Sequence, residues 1–265
     1  MAEADFLTDL TVLPEKAQRY REEVFCREAW RDVEAAAGDR ARELLHRHGL
    51  ILFKPDGIAA GVVGEALDIL GELGFEPAAG AVVQLDRHST RWLWLYRFNV
   101  ASVERVWLHD RINCSGPSLL VALRDRRAVP GETIPAAVRI TDCKGPSRPE
   151  RRRADQLRTR LGVDDRLLNF VHTSDEPADV VRELGILLTS SERRLLLRQI
   201  VEGGVWTRWF AQRRSLLAGK RHRDLWDAIR AEAGEIEFDE PGVEEQTLGD
   251  APPAEWLASG ERACR

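Results

Sequence analysis

Two apolar runs, far apart in the chain, each end in a short set of polar residues, and together they constrain the fold more than any other feature. The first is Leu50-Ile51-Leu52-Phe53, followed by Lys54-Pro55-Asp56-Gly57; the second is Asn169-Phe170-Val171-His172-Thr173-Ser174-Asp175. Each run predicts a short buried strand. The polar residues would then stand at strand ends, where a rigid backbone can fix a nucleophile. A histidine in that position can be phosphorylated on a ring nitrogen.

Composition and charge exclude several classes of protein. The 265 residues are 43% hydrophobic and 31% charged, as expected for a globular chain. No run approaches the roughly 20 apolar residues of a membrane span, and the acidic start is unlike a signal peptide. Four scattered cysteines favour a reduced cytoplasm. The net charge of -5 comes from residues 231–265, which carry ten acidic and two basic side chains, so the rest of the chain is compatible with a site for anionic phosphates.

Periodicity predicts an α+β fold. The order of elements is strand, helix, strand, helix, strand, a long connection, strand and helix. This order favours a ferredoxin-like βαββαβ sheet with helices on one face. The predicted strands are 50–53, 81–85, 119–123 and 167–171, and the predicted helices are 59–73, 98–112 and 178–188.

Both ends of the chain extend beyond this unit, so four regions are predicted. Residues 1–48 form a helical N-terminal extension, with helices at 15–37 and 40–48, and residues 49–188 form the βαββαβ domain. Residues 189–233 form a helical C-terminal extension, which begins at the capping box Thr189-Ser190-Ser191-Glu192 and continues in helices at 205–217 and 223–233. Residues 234–265 form an acidic, loosely ordered tail.

Five motifs in one order make residues 49–188 resemble the nucleoside diphosphate kinase family. They are Lys54-Pro55-Asp56-Gly57, Gly61-Val62-Val63-Gly64-Glu65, Ser115-Gly116-Pro117, Gly131-Glu132-Thr133 and the run from Asn169 to Asp175. The resemblance implies ping-pong transfer, in which a histidine takes the terminal phosphoryl group of a nucleoside triphosphate and passes it to an acceptor diphosphate. By this match the nucleophile is His172; the alternative is a buried structural histidine.

The resemblance also assigns neighbours to the nucleophile. A glutamate on the next helix should hold the other ring nitrogen, and Glu183 lies at the matching spacing, eleven residues after His172. The alternative for Glu183 is a solvated carboxylate. Ser174 resembles the serine that bonds to the transferred phosphoryl group. Asp175 is expected to orient the turn or cap the helix.

Phosphate-binding residues are implied in the same way, because phosphoryl transfer needs positive charge and hydrogen-bond donors around the phosphate oxygens. Lys54 matches a lysine at the phosphates, Thr133 a phosphate-binding threonine, and Arg127 the first of two arginines. For the second arginine we prefer Arg158, with Arg160 as the alternative.

The resemblance also implies which residues contact the rest of the nucleotide. Asn169 should bond to the ribose. Tyr96 matches a phosphate-facing tyrosine of the family or, equally, a packed aromatic residue. Mg²⁺ is expected on the phosphates of ATP or another nucleoside triphosphate, with no protein residue as a dedicated metal ligand.

The chain departs from the family pattern at three places. The aromatic residue that stacks on the base is displaced to Trp107 or replaced by Arg105 or Val106, and an arginine before Gly61 is replaced by Ala60. The connection 134–157 is longer than in the family and rich in arginine. The additional length predicts a role in acceptor choice, in assembly or in both. For the basic run 144–153 within it, the alternative is a mobile solvated loop.

Two functions are therefore open. The first is an enzyme that acts on nucleoside diphosphates or on a specialised phosphorylated acceptor, and that forms homo-oligomers. The second is a non-catalytic nucleotide-binding or scaffold module. No membrane partner is expected. Trp206 and Trp209 could bind nucleic acid with nearby basic residues, but packing against the core is the preferred interpretation.

Overall fold

A four-stranded antiparallel sheet forms the centre of the protein. The computed structural model describes residues 6–203 and, beyond them, Asp227, Ala231 and Trp256. The strands are β1 (His48–Phe53), β2 (Phe75–Val83), β3 (Ser118–Asp125) and β4 (Val171–Thr173), in the order β2-β3-β1-β4. The α-helices among the described residues are α1 (Pro14–Glu22), α2 (Val24–Ala37), α3 (Ala41–Arg47), α4 (Pro55–Ala59), α5 (Val63–Glu72), α6 (Arg87–Leu93), α7 (Leu95–Phe98), α8 (Val103–Asn113), α9 (Ala136–Lys144), α10 (Leu157–Arg160), α11 (Pro177–Leu187) and α12 (Ser190–Glu202).

The predicted fold class is confirmed. The order β1, α5, β2, β3, α9, β4 is a βαββαβ unit, and each neighbouring pair of strands is antiparallel. This is the ferredoxin-like arrangement. In it β1 is central and β4 is an edge strand, so residues of β1 and β4 meet at one side of the sheet.

Helices cover both faces of the sheet and not one face as predicted. Successive β1 side chains point to opposite faces. Ile51 and Phe53 join a core with α5 and α9, whereas Leu50 and Leu52 join a second core with α2, α11 and α12. Since each face is apolar, each needs a covering layer. The N-terminal extension supplies part of the second layer through α2.

Two predicted strand boundaries were wrong. The second strand is Phe75–Val83 and begins six residues before the predicted 81–85. Its first half was missed because a register shift between Pro77 and Ala79 interrupts the alternation of buried and exposed residues. The fourth strand is Val171–Thr173 instead of 167–171. Leu167 and Leu168 are apolar for another reason, since they pack on α8.

Three predicted helices are each divided in two. The helix 59–73 is separated into α4 and α5 at Gly61, whose φ is +74°. The helix 98–112 is divided at Ser102, whose side chain caps α8. The helix 15–37 is divided at Glu23, which has extended backbone. The capping box at Thr189 and Glu192 is confirmed.

The connection 134–157 contains a buried helix. Its first half is α9, where Ala136, Val138, Ile140 and Cys143 are all fully buried. The sequence analysis did not predict α9, because the charged residues Arg139 and Lys144 interrupt its apolar pattern. Both of these residues are themselves buried.

The predicted helices 205–217 and 223–233 and the tail 234–265 lie outside the described residues, except that Asp227 and Ala231 are helical and Trp256 is placed. No helix among the described residues is long and apolar enough to cross a membrane.

Close packing of α11 on α2 yields a stability prediction. A Cβ added to Gly185 would lie 2.2 Å from the carbonyl oxygen of Phe25, so Gly185→Ala must separate the two helices. We expect the free energy of unfolding to fall by about 1–3 kcal/mol in urea titrations. Gly71→Ala is the matched control, since no atom lies within 4 Å of its added Cβ. A Gly185→Ala protein as stable as the control would contradict the described packing.

Candidate active site

The Lys-Pro-Asp-Gly motif holds the turn that leads into β4. Phe170 has a φ of +66°, an unusual value for a residue with a side chain. Its carbonyl accepts from the backbone N–H of Lys54 at 2.9 Å, and its own N–H donates to Asp56 Oδ2 at 2.9 Å. A Cβ on Gly57 would lie 2.7 Å from that carbonyl oxygen, so only glycine permits the approach. The two runs singled out in the sequence therefore contact each other directly.

His172 follows this turn and is bonded through one ring nitrogen. Its Nε2 lies 2.8 Å from Glu183 Oε1, and the hydroxyl of Ser174 donates to Glu183 Oε2 at 2.7 Å. An ionised carboxylate only accepts, so Nε2 carries the proton. Nδ1 then keeps its lone pair. The His172 side chain is 14% exposed, against 8% for Glu183.

An aromatic cluster of Trp94, Phe98 and His109 borders His172. The Trp94 ring meets the His172 ring edge-on, with centroids 5.4 Å apart. The His109 ring is 5.8 Å from Trp94 and 5.2 Å from Phe98. The sequence analysis selected none of Trp94, Phe98 and His109 as site residues. Their proximity to the nucleophile has no signal in sequence spacing, because α6 to α8 bring them there.

Asp175 is a buried carboxyl in this site. Its Oδ1 has no hydrogen-bond partner in the described part of the chain. Burial raises the pKa of Asp175 to about 6, while the charge of Lys144 opposes this and that of Asp179 adds to it. His172 and Lys16 also act on it electrostatically. Asp175 therefore links the nucleophile to a buried lysine of α9.

Lys54 is a buried cation beside the same edge of the sheet. It follows Leu52 by two residues in extended backbone, so it points to the face that carries Leu52 and its partner His172. Its Nζ donates to the Leu167 carbonyl at 3.0 Å and lies 3.4 Å from Asp56 Oδ2. Burial lowers the pKa of Lys54, Asp56 opposes the shift, and Arg158 adds to it.

Arg158 and Arg160 have different environments. Arg158 is buried and donates to the carbonyls of Gly145, Asn169 and Val171, so it joins the end of α9 to the start of β4. Arg160 pairs with the exposed Glu72 on the surface. The amide of Asn169 donates to the Arg166 carbonyl.

Two predicted phosphate ligands are not brought to His172. Arg127 follows β3, whose end pairs with the start of β1 at His48, while His172 pairs with Leu52. Four strand residues separate these levels, or about 13 Å. Thr133 bonds to the backbone of Val129 and lies 3.4 Å from His46, also before β1. The Gly-x-Thr match to residues 131–133 did not identify residues near the nucleophile.

Two predicted nucleoside contacts have other neighbours. The Tyr96 hydroxyl donates to Glu23 at 2.6 Å, within a network that includes Arg182. Trp107 lies on α8 with its side chain 48% exposed and the Arg111 guanidinium 5.3 Å from its ring.

Lys144 and Ser147 are buried residues near the site that sequence reasoning did not select. They flank Gly145, which Arg158 ties to β4. The sequence did contain a pattern that points to this region. Gly145-Pro146-Ser147, like residues 131–133, is a glycine followed two residues later by a residue with a hydroxyl group, and it lies closer in sequence to Arg158. Lys144 is the last residue of α9, and a charge that is buried there needs a specific partner.

Comparison with known families identifies the family to which the chain belongs. The family model described as "Nucleoside diphosphate kinase" matches residues 47–193, more than half of the chain. The chain therefore belongs to the nucleoside diphosphate kinase family. Comparison with curated proteins finds no match.

Solved structures of this family resemble the chain at low identity. A nucleoside diphosphate kinase from Aquifex aeolicus is 22% identical, with a TM-score of 0.44 over 55% of this chain and 97% of that one. A family protein from Babesia bovis is 23% identical, with a TM-score of 0.44 over 55% and 90%. A transition state mimic of the Borrelia burgdorferi enzyme with vanadate and ADP is 17% identical, with a TM-score of 0.45 over 55% and 89%.

The raised pKa of Asp175 predicts a pH-dependent stability. The unperturbed pKa is 3.8 and the folded value is about 6, so the folded state binds more protons between these values. The stabilisation from protonated Asp175 is present below about pH 4 and lost as the pH rises through 6. The asparagine of Asp175→Asn cannot ionise, so this variant does not lose the stabilisation as the pH rises. The difference in free energy of unfolding, Asp175→Asn minus wild type, should therefore increase by about 1–3 kcal/mol from pH 4 to pH 7.5.

Denaturant titrations at both pH values measure this difference. The exposed Asp164 provides the control variant Asp164→Asn, whose pH dependence should match wild type. A constant offset between Asp175→Asn and wild type would show that Asp175 does not titrate in this window.

Proposed function

We propose that the protein is a phosphotransferase that works through a phosphohistidine at His172. The observation that carries the proposal is the pair of bonds from Glu183, one to His172 Nε2 and one to Ser174. These bonds fix the tautomer and leave Nδ1 as the nucleophile. A scaffold that only binds nucleotides has no need of this arrangement, so the enzyme is favoured over the non-catalytic alternative.

Each half-reaction exchanges one bond to phosphorus. The Nδ1 lone pair attacks the terminal phosphorus of a nucleoside triphosphate, a P–N bond forms, and the P–O bond breaks with its electron pair leaving on the nucleoside diphosphate. The imidazole becomes positively charged as Nδ1 is phosphorylated, and the Glu183 carboxylate stabilises that charge through Nε2–H. In the second half-reaction an acceptor phosphate oxygen attacks, and the electron pair returns to Nδ1.

Buried cations would balance the charge of the transferred group. Lys54 and Lys144 are each at most 4% exposed. Lys54 follows β1, the partner of the His172 strand, and Lys144 acts electrostatically on Asp175. The pKa of Lys54 is lowered by burial. A phosphate oxygen nearby would favour the charged lysine, so substrate binding would offset this cost. We assign these two lysines to the phosphate groups, with Arg158 holding the backbone around them.

The chain's residues fit a metal that arrives on the substrate. No group of three or more histidine, cysteine or carboxylate ligands lies together in the described part of the chain, and both oxygens of Glu183 are already bonded. Mg²⁺ bound to the phosphates would neutralise part of their charge. The protein's part is to place Lys54 and Lys144 against the remaining phosphate oxygens.

The nucleoside side of the site is open to a base or to another acceptor group. Trp107 is an exposed aromatic side chain on α8, and its ring is available for stacking. Asn169 is close enough to β4 to contact a ribose. We therefore propose nucleoside triphosphates as donors, with a nucleoside diphosphate or another phosphorylated small molecule as acceptor.

The first test is phosphohistidine formation. Brief exposure to radiolabelled ATP and Mg²⁺ should give an acid-labile, alkali-stable label on His172, and NMR should place the phosphorus on Nδ1. His172→Ala should take no label. His88→Ala, at an exposed histidine, is the control and should label like wild type. An unlabelled wild-type protein, or a labelled His172→Ala variant, would falsify the proposal.

The second test concerns Glu183. Glu183→Gln keeps the shape of the side chain but removes its charge, so single-turnover labelling of His172 should slow by about 10- to 100-fold. Glu202→Gln, on an exposed carboxylate of α12, is the control. An unchanged rate with Glu183→Gln would mean that the charge of Glu183 does not stabilise the phosphorylated ring.

A further inference from the structure

Two side chains from separate segments contact the His172 ring. Glu183 of α11 bonds to Nε2 at 2.8 Å, and the Trp94 ring, at the junction of α6 and α7, meets the imidazole edge-on with centroids 5.4 Å apart. One hydrogen bond fixes the tautomer but leaves the ring able to turn about that bond. The orientation of Nδ1 therefore depends on how α11 and the α6–α7 junction lie relative to each other.

Arg182 joins these two segments. It directly precedes Glu183 on α11 and is buried. Its Nη2 donates to the Trp92 carbonyl at 2.8 Å and its Nη1 to the Leu93 carbonyl at 3.4 Å, so the guanidinium bonds to the two residues before Trp94. A single side chain thus connects the backbone that carries Glu183 with the backbone that carries Trp94.

Glu23 is the counterion of Arg182 and completes this connection. Its Oε2 accepts from Arg182 Nε at 2.5 Å, and its Oε1 accepts from the Tyr96 hydroxyl at 2.6 Å. Tyr96 follows Trp94 by two residues, so one carboxylate bonds to both segments. The Glu23 side chain is 11% exposed and that of Arg182 is 3% exposed. A buried cation that loses its carboxylate partner is strongly destabilised.

Aromatic packing leaves the Arg182 guanidinium little freedom to adjust. It lies 5.0 Å from the centroid of the Tyr20 ring and 5.4 Å from that of the Tyr96 ring, and the two rings stack with centroids 6.3 Å apart. A cation at this distance is attracted to the face of a ring. Because the guanidinium also bonds to two carbonyls, a shift of Glu23 is passed on to α11 and to the α6–α7 junction.

Glu23 lies outside the part of the chain that the family model matches. It stands between α1 and α2 of the N-terminal extension, in extended backbone, whereas the match covers residues 47–193. Its bonds reach His172 through other side chains. An effect of Glu23 on the ring is therefore one of position and not of direct contact.

We propose that Glu23 is a positioning residue for His172. Through its two bonds it sets the relative position of Glu183 and Trp94, and these two hold the imidazole with Nδ1 directed at the phosphoryl group. A small displacement of a reacting atom slows a reaction strongly, because the near-attack geometry is lost. The effect on phosphoryl transfer rests on the proposed function, whereas the effect on the position of the ring does not.

The first measurement is single-turnover labelling of His172 by ATP. Glu23→Gln keeps the shape of the side chain but removes its charge and one of its two acceptors, so labelling should slow about tenfold. The Kd of ATP with Mg²⁺ should stay at the wild-type value, because the orientation of the ring changes and the phosphate ligands do not. Tyr96→Phe keeps the ion pair and loses one bond, so its rate should be intermediate, and it provides the test if Glu23→Gln does not fold.

Two control variants separate position from general stability. Glu22→Gln changes the exposed carboxylate beside Glu23 and should label like wild type. Asp32→Asn removes the charge of a buried carboxylate in the same extension, which lies 2.7 Å from Arg193. This variant should lower the free energy of unfolding without slowing the labelling of the folded protein.

The second measurement needs no chemistry. In protein with isotope-labelled histidine and no nucleotide, NMR should show a hydrogen-bonded Nε2–H proton and a single tautomer for the His172 ring. Glu23→Gln should add the Nδ1–H tautomer and move the Nε2–H signal upfield, since the bond to Glu183 is weakened. Asp32→Asn should give the wild-type signals, because a merely structural change does not reach the ring.

Wild-type NMR signals in both Glu23→Gln and Tyr96→Phe would overturn the inference whatever their labelling rates, as would equal changes of these signals in Asp32→Asn. Changed signals in Glu23→Gln, with no labelling of the wild-type protein, would support the positioning of His172 and reject the phosphotransferase. Labelling of the wild-type protein with neither a slower rate nor a changed signal in the variants would support the enzyme and reject the role of Glu23.

Discussion

The short pairing between β1 and β4 is the constraint on which the site depends. Only three residue pairs join these strands, and His172 is in the middle one, opposite Leu52. A three-residue edge strand is weak by itself. Contacts at its ends supplement the pairing: Asp56 fixes the turn at Phe170, Arg158 bonds to Val171, and Thr141 of α9 bonds to Thr173. His172, the proposed nucleophile, therefore lies on a strand that is held at both ends and by contacts with α9.

Buried charge is the second organising element. Lys54 interacts with Asp56 and Arg158, and Asp175 interacts with Lys144. Groups of this kind are costly unless each has a partner. Their concentration around one histidine is typical of a site that binds a charged substrate. The lowered pKa of Lys54 and the raised pKa of Asp175 show that burial, and not pairing, dominates both groups.

The N-terminal extension belongs to the support of the site. Lys16 and Tyr20 of α1 bond to Asp179 on α11, and Glu23 bonds to Arg182 on the same helix. Burial raises the pKa of the Tyr20 phenol well above its usual value, and the Asp179 carboxylate adds to this, so Tyr20 stays a neutral donor. Since α11 also carries Glu183, the extension fixes the helix whose carboxylate bonds to His172. A domain cut at residue 49 would lose these contacts.

The sequence by itself determined the fold class and the motif residues of the candidate site. Strand and helix order gave βαββαβ, and local motifs selected His172, Glu183, Ser174 and Lys54, which the structure places on one side of the β1–β4 edge. These are short-range patterns, because a strand end or a helix turn fixes the spacing between their residues. The tertiary structure decided what depends on distant segments. It separated Arg127 and Thr133 from the site, since β3 ends at the other end of the sheet. It also buried α9, brought Trp94 to His172 and brought Lys144 within electrostatic range of Asp175, through packing that no sequence spacing records.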